Sequence, residues 1–122
     1  MTNKEKIISR LNSFDTLKPG WGCYEHSEAI HQDIKLSVID VINNLDDEYL
    51  KAWTVFPCVD GAILFDCLDK NVDSCIHFSK NNKASAFVKV NNDILLTTDN
   101  VSYSDESIYK IFETVYKHTN KV

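Results

Sequence analysis

The sequence predicts an α+β domain: an antiparallel meander sheet of about four to five strands, with two to three helices packed on one face. Three observations carry this. Ile30, Ile34, Val38, Val41, Ile42 and Leu45 recur at helical spacing. The stretch from Trp53 to Thr98 breaks into short β-rich runs. The connections between those runs are too short to hold the crossover helices that parallel strands require. Amphipathic helices need a common apolar surface, and only the sheet supplies one.

Thr2 and Glu5 match a capping box, and Ile7, Ile8, Leu11 and Phe14 follow at helical spacing, which predicts a helix over Asn3–Ser13. Lys18-Pro19-Gly20-Trp21-Gly22 ends it with an irregular turn that carries an aromatic anchor. In the second helix Ser27 is the expected N-cap, Glu28 suits the positive end of the dipole, and Asn43-Asn44 mark the fraying end. Strands are expected near Ala52–Pro57, Ala62–Leu68, Ser74–Ser79, Ala84–Val90 and Ile94–Thr98. The breaks between them are Asp60-Gly61, Asp69-Lys70-Asn71, Asn81-Asn82 and Asn91-Asn92-Asp93, residue types that tolerate the positive φ of tight hairpin turns. Ala62-Ile63-Leu64-Phe65 is apolar on both faces and suggests a central strand, whereas Pro57 belongs at a strand end or edge. Ser104 is the expected cap of a last helix. Asp105 and Glu106 lie in its first turn, Ile108, Ile111, Phe112 and Val115 form its apolar stripe, and Lys117 and His118 sit at its negative end.

The 122 residues suit a single domain, 1–122, and no repeat or linker divides them. With 43% hydrophobic and 25% charged residues, the chain has the composition of a folded globular protein. Eighteen acidic against 13 basic side chains give a net charge of −5. That balance argues against nucleic acid, whose phosphates call for a positive surface, and it leaves room for a basic partner. No signal peptide follows Met1 and no run is long enough for a membrane span, so the expected compartment is the cytoplasm. The four cysteines (Cys23, Cys58, Cys67 and Cys75) are read as reduced and mostly buried thiols.

Catalytic and metal constellations are sought and not found, so the expectation is no catalytic residue, no metal and no cofactor. Cys23 and His26 have a spacing seen in zinc sites, and Cys75 and His77 would point to one side of a strand with Cys67 on a neighbour. The cysteine gaps of 35, 9 and 8 residues supply no second close ligand pair. No glycine-framed elbow exposes a nucleophile, and Gly20, Gly22 and Gly61 make no phosphate loop. Asp46-Asp47-Glu48 reads as a solvated acidic loop tip. Trp21 fits either a plug between the first helix and the sheet or a binding hot spot. On the second reading Trp21, Tyr24 and Trp53 are the candidate partner-binding residues.

Gly20-Trp21-Gly22-Cys23-Tyr24, a long helix, and then Phe56-Pro57-Cys58-Val59-Asp60-Gly61-Ala62-Ile63-Leu64-Phe65-Asp66 resemble a family of small uncharacterised bacterial and phage proteins. In that family a Gly-Trp-Asp-Gly turn precedes a helix, and a Pro-x-x-Asp-Gly-x-Ile hairpin follows, often ending in an acidic residue and a tryptophan. The likeness spans roughly residues 10 to 90. Gly22 stands where the family has an acidic residue, and Cys67 where it has a tryptophan. The resemblance implies a bacterial or phage origin, often in a mobile element, and an α+β layout, and it supplies no catalytic residue. The expected function is a non-enzymatic protein-binding module of the antitoxin, immunity or anti-defence inhibitor type, acting through the Trp21 loop or an exposed strand edge. The alternatives are a small thiol- or metal-dependent enzyme using Cys75 and His77 or Cys23 and His26, and a homo-oligomeric structural protein.

Overall fold

Helix α1 spans Asn3–Ser13, and its start is tied down twice. The Glu5 amide donates to Thr2 Oγ1 (3.0 Å) while the Thr2 amide donates to Glu5 Oε1 (3.3 Å), the reciprocal capping box expected from the sequence. The Asp47 carboxylate then accepts from the amides of Asn3 (3.1 Å) and Lys4 (2.8 Å). The acidic loop tip is thus a tertiary cap, and the Lys4 amide above all holds the Asp47 carboxyl below its ordinary range. The computed structural model describes residues 1–22 and 26–119.

Helix α2 runs Gln32–Asn43 and begins later than the apolar stripe suggests. Ser27 does not cap it, because residues 27–31 are extended against the turn at 58–62. The Glu28 amide donates to the Val59 carbonyl (2.7 Å), and the His31 amide to that of Gly61 (3.1 Å). These bonds satisfy the backbone that a first helical turn would otherwise use. Ile30 is nevertheless buried, reaching the core from the extended segment.

Five strands follow: β1 (Thr54–Pro57), β2 (Ile63–Asp69), β3 (Val72–Ser79), β4 (Lys83–Val90) and β5 (Asp93–Ser102). They form one antiparallel meander in the order β1-β2-β3-β4-β5, as the short turns predict. Asn91 and Asn92 have φ of 53° and 69°, the pair of left-handed residues that a type I′ hairpin demands. β5 extends to Ser102, past the expected end at Thr98, with a register shift between Ala84 and Ala86 and positive φ at Asn100.

Helix α3 spans Glu106–Thr119. Its first turn is capped by Asp105, whose Oδ1 accepts from the Ser107 amide (2.9 Å), and not by Ser104, which bonds to Ser102.

Strand alternation sends Val55, Ile63, Phe65, Ile76, Phe78 and Val88 to one face, where α1, α2 and α3 cover them. Trp53, Phe65, Phe78, Phe112 and Tyr103 form a continuous aromatic cluster, with ring centroids 4.9–6.3 Å apart between neighbours. Ser74, fully buried on the same face, donates to the Phe87 carbonyl (2.7 Å). Among the described residues no helix is long and apolar enough to cross a membrane.

Lys35 is buried on α2, and its ammonium reaches Asp15 Oδ2 (2.8 Å), Asp15 Oδ1 (3.0 Å) and Asn12 Oδ1 (3.2 Å). The hydrogen bond from Lys35 holds the Asp15 carboxyl below its ordinary value, with a second from Gln32. Because the folded-state pKa is depressed, this contribution is complete above the unfolded carboxylate's value and fades as pH falls through the folded one. Urea denaturation of the wild type should lose stability below about pH 4, and Asp15→Asn should flatten that loss. An unchanged pH profile would contradict the pairing.

Candidate functional site

The alternate strand positions face away from the helices and stay half-buried or exposed. Register aligns them in rows. Phe56, Leu64, His77 and Ser85 form one row, and Thr54, Asp66, Cys75, Phe87 and Thr97 form the next. On this open face, among the described residues, Asp60, Asp66, Asp73 and Asp99 outnumber Lys83 and Lys89. The surface is therefore acidic, with Leu64 and Phe87 as apolar ground between the charges. A shallow depression of about 430 Å³ is lined by Cys75, His77, Ser85, Phe87, Thr97 and Asp99, among others.

The two outer strands differ. β1 is short, ends in Pro57, and is sealed where Arg10 Nε donates to the Val55 carbonyl (2.7 Å). β5 is ten residues long, pairs only with β4 among the described strands, and exposes Ile94 and Leu95.

Two groups of side chains converge on the open face. Cys58, Asp60 and His77 place a sulfur, a carboxylate oxygen and a ring nitrogen all within 4.8 Å of one another, and so do Asp66, Asp73 and Cys75 with their own donor atoms. The Cys75 thiol donates to Asp66 Oδ1 at 3.2 Å. Burial, then the nearby Asp60 charge, pushes the Cys58 thiol up to about 11. Cys75 is pushed up to about 12 by burial, by its bond to Asp66, and by the charges of Asp66 and Asp73. Burial and acidic neighbours raise Cys67 to about 11. All three are protonated at neutral pH, the opposite of an activated nucleophile. In chelator-treated protein at pH 8, alkylation at Cys58 should be roughly a hundredfold slower than at an ordinary thiol. Peptide mapping that found it fast would contradict the buried, acidic setting.

The sequence candidates fare differently. Cys75 and His77 share a face as expected, but each joins its own group, while Cys67 points into the core on the opposite side. Trp53 is 6% exposed and packs against Phe65 and Phe112, so its ring is an element of the core. Trp21 is half-exposed and absent from the core cluster, so it does not plug the gap between α1 and the sheet. The Trp21 Nε1 donates to the Glu28 carbonyl (2.6 Å), and Ser27 Oγ donates to the Trp21 carbonyl (2.9 Å). Tyr24 and Cys23 lie outside the described residues, and with Cys23 the suggested Cys23/His26 pair. Cys58 and Asp60 were missed. The sequence signals only a Cys-x-Asp beside a hairpin turn; His77 joins it through the β2–β3 register about the Lys70-Asn71 turn, where Leu64 pairs with His77.

Comparison with protein-family models, with curated proteins and with solved structures found no match for this chain.

Proposed function

We propose that the chain is a non-enzymatic protein-binding module that receives a basic protein partner on the open face of its sheet, with the β5 edge extending the contact. The observation that carries this reading is the one-sided sheet: helices cover one face, while the other presents Leu64 and Phe87 among the acidic side chains of Asp60, Asp66, Asp73 and Asp99. A net charge of −5 favours a cationic partner and disfavours nucleic acid. The free edge of β5 offers backbone groups for strand addition. The raised thiols count against a cysteine-dependent enzyme. The resemblance to phage and bacterial mobile-element proteins favours an inhibitor of the antitoxin, immunity or anti-defence type, acting in the cytoplasm.

The test is capture from the native host with two charge-matched variants. Asp73→Lys/Asp99→Lys alters the open face, and Glu106→Lys/Glu113→Lys makes the same net change on exposed positions of α3. A stoichiometric partner held by the wild type and the α3 variant, and lost by the open-face variant, is the expected outcome. Equal retention by both variants, or no partner for a folded wild type, would sink the proposal.

A further inference from the structure

The same face carries a second feature, one that does not depend on a protein partner. We propose that Cys58, Asp60 and His77 bind one divalent transition-metal ion of the zinc class, at the turn between β1 and β2. The donor set is a sulfur, an imidazole nitrogen and a carboxylate oxygen, the mixture that zinc-type ions take in preference to magnesium or calcium. The three atoms lie within 4.8 Å of one another. Tetrahedral coordination at ordinary zinc bond lengths needs ligand atoms about 3.3–3.7 Å apart, so small side-chain rotations close the site without moving the backbone.

That backbone is held from several sides. The Cys58 amide donates to the Ala62 carbonyl (2.9 Å), and the Gly61 amide to the Cys58 carbonyl (3.0 Å). The extended segment 27–31 braces the turn from outside through Glu28 and His31. The third ligand, His77, sits on β3 in the middle of the sheet. Rigid supports of this kind keep ligands near their bound geometry before the ion arrives. Asp60 Oδ1 also accepts from the Ala62 amide (3.2 Å), which orients the carboxylate and leaves its other oxygen for an ion. When the ion binds, the Cys58 thiol proton passes to solvent as the Sγ–metal bond forms. Three protein ligands leave a fourth position for water or an incoming group.

The neighbouring group of Asp66, Asp73 and Cys75 is the weaker fit. It lacks an imidazole, and its thiol is already engaged with Asp66. The cysteine spacing that argued against a metal in the sequence could not reveal this site, because its third ligand comes from a strand paired two positions away in the sheet.

Cobalt(II) and zinc(II) serve as probes on the reduced full chain. The wild type should take up one cobalt ion per chain, with an intense thiolate-to-cobalt charge-transfer band and tetrahedral visible bands, and zinc should displace it. Cys58→Ser should abolish the charge-transfer band, and Cys75→Ser should leave it intact. Asp60→Asn keeps the acceptor for the Ala62 amide but loses the charge. It and His77→Ala should each weaken cobalt binding at least about tenfold, since even an outer hydrogen-bond partner is worth that much. A folded wild type with no thiolate band overturns the proposal, as does a band that survives Cys58→Ser or vanishes in Cys75→Ser. Should Cys58→Ser fail to fold, His77→Ala decides, and unchanged affinity there overturns the assignment.

Discussion

Phe65→Ala is expected to cost about 3–5 kcal/mol of folding stability, the usual range for deleting a buried phenyl ring. Phe65 is fully buried on the core face of β2, and its ring meets Trp53, Phe78 and Phe112 at centroid distances of 6.3, 5.3 and 6.0 Å. Three of its neighbours are large aromatic rings anchored on β3, α3 and the segment before β1, so the structure cannot collapse into the space without shifting several elements at once. The same strand supplies the control. Leu68 lies three residues on, on the other face, and is 78% exposed. Leu68→Ala should change stability by less than about 0.5 kcal/mol. Equilibrium urea unfolding of both variants measures the contrast, and a loss for Leu68→Ala as large as that for Phe65→Ala would contradict this assignment of the two faces of β2.

Gly61→Ala is the second large effect. Gly61 has φ of +84°, which costs an L-residue about 1–2 kcal/mol. An added Cβ would also stand 2.1 Å from His31 Cδ2, 2.6 Å from His31 Nε2 and 2.9 Å from the Ala29 carbonyl oxygen. The imidazole can swing aside, giving up its 3.6 Å contact with Glu28, but the Ala29 oxygen is backbone held by the same brace. Together these should cost about 2–4 kcal/mol and lower Tm by about 10 °C. Adding His31→Ala should restore part of the loss and not all of it, because the positive φ and the Ala29 oxygen remain. A Gly61→Ala variant as stable as the wild type would show that segment 27–31 does not pack on this turn.

Local chemistry made most of the architecture legible. Thr2 and Glu5 announce α1, the paired asparagines announce hairpins, and turns too short for crossovers dictate a meander. Readings failed where a distant partner outcompeted a local preference. Ser27 and Glu28 look like a helix start, yet the carbonyls of Val59 and Gly61 take the amides of Glu28 and His31 and hold this stretch extended. Asp47 looks like solvated surface and instead caps a helix far away in sequence. Trp53 looks like an anchor because tryptophans so often are, but the aromatic cluster claims it. The convergence of Cys58, Asp60 and His77 needed the strand register, which composition and spacing do not carry.

The central claim is that the bare face of the sheet is the working surface, and hydrogen–deuterium exchange of the chain with its captured partner tests it most directly. Bound partner should slow exchange in β5, at the amides that β4 leaves unpaired, and in the turn at 58–62, with α1 and α3 unchanged. Protection confined to the outer surfaces of α1 and α3, with β5 exchanging as in the free chain, would contradict the account.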